Sequence, residues 1–131
     1  MSKLAENDTV LIKAAREIIA KRFKEDYHHV GAALRTKNGR VYAAVHLEAY
    51  VGRIAVCAEA IALGMAAAEG DTSIDTIVAV NRRGEVVSPC GMCRELISDY
   101  SPEAKIIVLG GDGEEIVPVL SLLPNKYQRQ A

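Results

Sequence analysis

The sequence predicts one α/β domain, a mixed sheet with helices packed on its faces. Three observations predict it. Apolar residues recur at helical spacing near the N-terminus and again in an alanine-rich central segment, and short runs of Val, Ile and Leu bounded by turn residues read as strands. The elements follow one another as helix, hairpin, helix, strand, helix, strand, an order that packs helices against a sheet. The chain has 131 residues, and domains cluster at roughly 100–150 residues, so residues 1–131 form a single domain.

Each element has a local cause. Val10, Leu11, Ala14, Ala15, Ile18, Ile19 and Phe23 place a first amphipathic helix over 10–23, with Asn7, Asp8 and Thr9 as candidate caps. Residues 30–36 and 41–46 read as antiparallel strands joined by Lys37-Asn38-Gly39-Arg40, where Asn-Gly supplies the positive φ angles of a tight turn. Residues 57–69 are rich in Ala with Ile61, Leu63 and Met65, and Gly70 stands where that second helix ends. Buried strands are predicted over 76–81 and 106–109, the second ended by Gly110-Gly111-Asp112-Gly113. Between them a helix over 93–100 stops near Pro102, and a short helix or turn covers 119–123. No repeat or low-complexity linker interrupts the order.

Charge and composition exclude several functions. Sixteen basic residues against seventeen acidic ones leave a formal net charge of −1, and no basic stripe tracks a phosphate backbone, which argues against a polynucleotide partner. No run approaches the roughly 18 apolar residues that span a bilayer, and the first eight residues lack an apolar signal core. A cytoplasmic protein is expected. Half of the residues are apolar although only Phe23 and five tyrosines supply aromatic mass. That is more apolar mass than a small core needs, and burial against copies of the same chain would use it.

The chemistry resides in the three cysteines. An odd number without an export signal argues against a disulfide framework and for metal or redox chemistry. Cys90 and Cys93 can present both sulfurs at a turn entering a helix, and Cys57 opens another predicted helix with Glu59 two residues on. Helix N-termini favour the thiolate. Three thiolates on Zn²⁺ leave the fourth tetrahedral position for water, the pattern of a catalytic site, and Glu59 is placed to move its proton. A closed structural site would need a fourth ligand from His28, His29 or His46, none of which has finger-like spacing from the cysteines.

Cys57-Ala58-Glu59 followed by Pro89-Cys90-Gly91-Met92-Cys93-Arg94 resembles the cytidine deaminase superfamily in its short, three-cysteine form. Val30-Gly31-Ala32-Ala33-Leu34, the Asn38-Gly39-Arg40 turn, and Leu122-Leu123-Pro124 with Tyr127 resemble family segments in the same order. The resemblance implies a three-layer fold with about five strands and helices on both faces. It also implies zinc on the three cysteines and proton transfer by Glu59, with the Ala58 N–H on the base carbonyl and the Ser88 carbonyl on its amine. Small family members are typically homotetramers, with Tyr127 matching an aromatic that lines a neighbouring subunit's site. The implied reaction is hydrolytic deamination of cytidine or deoxycytidine.

Departures from the pattern bear on substrate. Where cytidine deaminases have Asn-x-Glu-Asn to hold the ribose, this chain has His46-Leu47-Glu48-Ala49, so Glu48 stays and His46 replaces the Asn. His28 aligns with a phenylalanine that packs on the base. Asp26-Tyr27 and Tyr127 are similar to blasticidin S deaminases, which act on a cytosine carrying a modified sugar. Cytidine deaminases also follow the glutamate with an arginine that tempers the sulfurs; here Ala60 stands there, and Arg53 or Arg94 is the expected substitute donor.

Overall fold

The computed structural model describes residues 3–130. Its elements are helix α1 (Glu6–Arg22), strands β1 (Val30–Thr36) and β2 (Val41–Val45), helix α2 (Ala58–Ala68), strands β3 (Ile74–Asn81) and β4 (Val86–Val87), helix α3 (Gly91–Tyr100), and strands β5 (Lys105–Gly110) and β6 (Gly113–Pro118). Short 3-10 turns cover Gly52–Ile54 and Val119–Leu122. The sheet order is β2-β1-β3-β5-β6, with β4 added alongside β3. All pairings are antiparallel except β3 with β5, so the sheet is mixed as expected.

Strands β1, β3 and β5 are nearly continuous apolar runs because both their faces are covered. Leu11, Ile12, Ala15 and Ile19 of α1 pack on Ala33, Val78, Val80 and Ile107. On the other face Ala62, Leu63 and Ala66 of α2 and Ile97 of α3 pack on Leu34, Ile77 and Ile106. Alternate residues of one strand thus serve opposite layers, as the two-residue period of a strand requires. The close approach of α1 to β1 depends on Gly31, where a Cβ would lie 2.6 Å from the Ala15 carbonyl oxygen and 2.9 Å from Ile19 Cβ. Arg35 then ties both elements to β3, its Nη2 donating to Asp8 Oδ1 at 3.1 Å, Asp75 Oδ2 at 2.9 Å and Thr76 Oγ1 at 3.2 Å.

The sheet has six strands where about five were expected, and the additions have simple causes. Gly110 to Gly113 does end β5, but it is also a two-residue hairpin turn that starts β6, with Gly113 at φ +111°. β4 has only two residues and so carries no period to read. The first helix begins four residues earlier than expected. Ala5 holds the cap position, and Asp8, expected as a cap, lies inside the first turn with its Oδ2 accepting from the Ala5 N–H at 2.9 Å. In the β1–β2 turn only Gly39 takes a positive φ, +93°, so Asn38 does not share that role. The Asn38 side chain instead bonds the Thr36 hydroxyl.

Candidate metal centre and catalytic cavity

Two helix starts build the site. Cys57 caps α2 and Cys90 caps α3, both in extended backbone conformation, and their carbonyls accept the first helical bonds from Ile61 and Arg94. This places Cys93 in the first turn of α3 and Glu59 in the first turn of α2. Packing of both helices on the same face of the sheet brings the three Sγ atoms within 4.8 Å of one another. Cys57 Sγ and Cys90 Sγ are 3.7 Å apart. A tetrahedral zinc with Zn–S bonds of about 2.3 Å needs sulfurs about 3.8 Å apart, so this donor set fits zinc. Among the described residues, the metal-holding group is these three cysteines, with no histidine in it. A closed site with a fourth histidine ligand is therefore not what the fold assembles.

The thiols are not equivalent. Burial raises the pKa of Cys57 and, more strongly, of Cys93, where the nearby Glu59 carboxylate adds to the effect. Burial also opposes ionisation of Cys90, but N–H groups of Cys93 and Met92 and the neighbouring thiols outweigh it and lower that pKa. A divalent cation would lower all three by stabilising the thiolates.

Glu59 is 6% exposed, and burial raises its carboxyl pKa, partly offset by its own backbone N–H. It lines a cavity of about 190 Å³ with Val30, His46, Cys57, Ala58, Val87, Ser88 and Cys90. Ala58 is the first helical residue of α2, where a backbone N–H has no partner within its own helix. Two of the three cysteines, the Glu59 carboxyl side chain, the first residue of α2 and Ser88 thus line one space the size of a small ring.

His46, at the end of β2, reaches this cavity; Glu48 does not line it but touches His46. The His46 Nδ1 accepts from the His29 N–H at 3.1 Å, which leaves Nε2 to carry the proton toward Glu48 Oε2 at 3.3 Å. His28 is not brought to the cavity. Its Nδ1 donates to the His46 carbonyl at 2.9 Å and its ring lines a separate groove with Ile18, Arg22 and Met65. Tyr127 is 78% exposed and does not line this chain's cavity. The arginines also fall elsewhere: Arg94 Nε donates to the Pro89 carbonyl at 2.9 Å, while Arg53 is exposed in the 3-10 turn. No hydrogen bond joins either guanidinium to a sulfur among the described residues. Arg94 braces the Pro89-Cys90 bend instead of the thiolates. Val30, Val87 and His29 were not singled out as substrate-site residues from the sequence; Val30 read as a strand residue, Val87 fell outside every predicted element, and His29 acts on His46 through its backbone N–H.

Comparison with known proteins agrees with this chemistry. Residues 5–109 match the family model described as "Cytidine and deoxycytidylate deaminase zinc-binding region". The site is that of a zinc-dependent hydrolytic deaminase. The chain belongs to the cytidine and deoxycytidylate deaminase family. It is 46% identical to a blasticidin-S deaminase of Bacillus cereus over 134 aligned positions, covering 96% of both chains. It is 36% identical to a cytidine deaminase of Halalkalibacterium halodurans over 101 positions, covering 75% of this chain and 76% of the relative. Its fold matches the crystal structure of cytidine deaminase from Mycobacterium leprae with a TM-score of 0.78 at 29% identity, covering 93% of this chain and all of the other.

Proposed function

We propose that this chain hydrolyses the exocyclic amine of cytosine in a small nucleoside, and that a sugar-modified cytosine nucleoside of the blasticidin S type is its better substrate. The observation that carries the reaction is a cluster of three sulfurs at the wall of one ring-sized cavity, which Cys57, Cys90 and the buried Glu59 line. The substrate reading rests on the 46% identity to a blasticidin-S deaminase over 96% of each chain and on His46, which replaces the ribose-binding Asn expected of cytidine deaminases. Cytidine or deoxycytidine is the second reading, favoured by the retained Glu48.

Zinc held by Cys57, Cys90 and Cys93 would supply Lewis acidity, which lowers the pKa of a water toward neutrality. Glu59 takes one proton from the attacking water and passes it to the ring nitrogen beside the reacting carbon, then moves the water's remaining proton to the amine as the C–N bond breaks and the new carbonyl forms. One water is consumed and one ammonia released. The Ala58 N–H donates to the ring carbonyl and the Ser88 carbonyl accepts from the amine, so the base is held by groups whose positions the helix start and the chain before Cys90 define. His46 and Glu48 meet the sugar. Val30 and Val87 keep water from the ring's apolar side.

The protein works as a homotetramer in the cytoplasm, with Tyr127 and His28 serving boundaries between subunits and sites. Support comes from the exposed apolar side chains Val51, Ile54, Met92, Leu109 and Tyr127, which exceed the scattered single residues of an ordinary surface. Among the described residues no helix is long and apolar enough to cross a membrane. An ammonia-release screen over free bases, nucleosides, nucleotides and blasticidin S, with zinc analysis, tests the reading. Release from blasticidin S and more slowly from cytidine is expected; release from neither overturns it.

A further inference from the structure

A second, larger cavity of about 420 Å³ opens beside the catalytic one, lined by Asp26, Tyr27, His29, Glu48, Ala49 and Tyr50. The chain segments 26–29 and 46–49 that form it are laced together. The Glu48 N–H donates to the Tyr27 carbonyl at 3.0 Å, the Asp26 N–H to His29 Nε2 at 3.1 Å, the His29 N–H to His46 Nδ1 at 3.1 Å, and the Ala49 N–H to Glu48 Oε1 at 3.1 Å. His46 is the partition, since its ring lines the catalytic cavity while its Nε2–H turns Glu48 toward the outer one.

The lining has a definite chemistry: two carboxylates, two tyrosine rings, and no lysine or arginine. Asp26 has no ion-pair partner among the described residues, and Tyr27 already receives the Lys24 ammonium 4.6 Å from its ring centroid. Carboxylates beside aromatic faces are what a guanidinium or ammonium group needs. We propose that this outer cavity is a subsite for a cationic arm on the sugar of the substrate, with Asp26 and Glu48 as its anions and Tyr27 and Tyr50 as its aromatic walls. The inference deepens the proposed function and rests on the cytosine ring occupying the inner cavity. A ribose passing His46 meets Glu48 at the near edge of the acidic space, and only a substituent that extends beyond the sugar reaches Asp26 and the tyrosine rings.

Asp26→Asn removes the charge and suits a position with φ +70°, which Asn tolerates. In the zinc-loaded enzyme, the change is expected to raise KM for blasticidin S, a cytosine nucleoside with a cationic side chain, by about five- to tenfold. Its kcat, and both constants for cytidine, stay near the wild-type values. Added salt raises KM for blasticidin S in the wild type and much less in the variant. The second probe is agmatine, a guanidinium without a base, titrated at millimolar concentration while backbone amide NMR shifts are followed. Shifts at 26–29 and 48–50 that disappear in Asp26→Asn support the subsite even if neither nucleoside is turned over, in which case it is the deaminase reading that fails. Cytidine turnover with equal effects of Asp26→Asn on both substrates, or agmatine shifts unaffected by the substitution, overturns the subsite and leaves the deaminase reading intact.

Discussion

The two parts of the site are built differently. The catalytic part is held by helix starts that are themselves clamped to a buried sheet: Cys57, Glu59, Cys90 and Cys93 owe their positions to Ala62, Leu63 and Ile97 packing on Leu34, Ile77 and Ile106. The outer part is held by hydrogen bonds between two connecting segments, with Asp26, Glu48 and Tyr50 all exposed to solvent. Reaction chemistry needs groups fixed to within a fraction of an ångström, and a packed scaffold supplies that. Substrate choice needs variable side chains at tolerant positions, which loops on a rigid frame supply. The reaction is thus written into the core and the specificity into its rim.

If that division is right, damage to the scaffold side should be general and damage to the rim selective. The largest effect is expected from Cys90→Ser, which removes a ligand but no core packing. Zinc retention and turnover of every substrate should fall at least about 100-fold, and metal analysis with ammonia assays reads both. Gly31→Ala attacks the scaffold without touching the site. Its Cβ meets the Ala15 carbonyl, and overpacking of this kind costs about 1–3 kcal/mol, a loss of about 5–10 °C in Tm by calorimetry. His46→Asn tests the rim. The kcat/KM ratio should move toward cytidine by about tenfold, with zinc content and Tm preserved; an equal loss on both substrates would erase the division.

The smallest effect concerns pH. Burial opposes ionisation of Asp75, but hydrogen bonds from Arg35 and Thr76 outweigh it and lower its pKa below the ordinary 3.8. A carboxylate with a lowered folded-state pKa contributes stability that is present above the ordinary value and is lost as pH falls through the lowered one. Asp75→Asn should therefore cost a little stability at pH 7 and nothing at pH 2. Chemical denaturation at both pH values measures it.

The same division decides what the sequence made legible. The cysteines and Glu59 were readable because helix starts convert spacing into position: an extended cap residue and a residue of the following first turn can reach one small site. Strands β1 and β2 were readable from composition and an Asn-Gly turn. β6 was hidden because Gly110 to Gly113 is both a terminator and a hairpin, and Glu114 and Glu115 disguise the strand that follows. The rim was the least legible. The Asp26-Tyr27 pair stood out in the sequence, but that its neighbour His29 would hold His46 through a backbone N–H depends on a loop conformation with Asp26 at positive φ. Arg94 shows how local geometry adds what charge balance does not: charge balance called for a donor to the sulfurs, and the fold also gives Arg94 the Pro89 carbonyl as an acceptor.

The central claim is that three sulfurs hold the metal and Glu59 alone carries the protons. Glu59→Gln keeps the size of the side chain and removes its basicity. Zinc per chain and ammonia release from cytidine and blasticidin S, measured side by side with the wild type, test the claim most directly. The account predicts about one zinc per chain in both proteins and a loss of turnover of about 10²–10⁴-fold in the variant. Comparable ammonia release by zinc-loaded Glu59→Gln would contradict it.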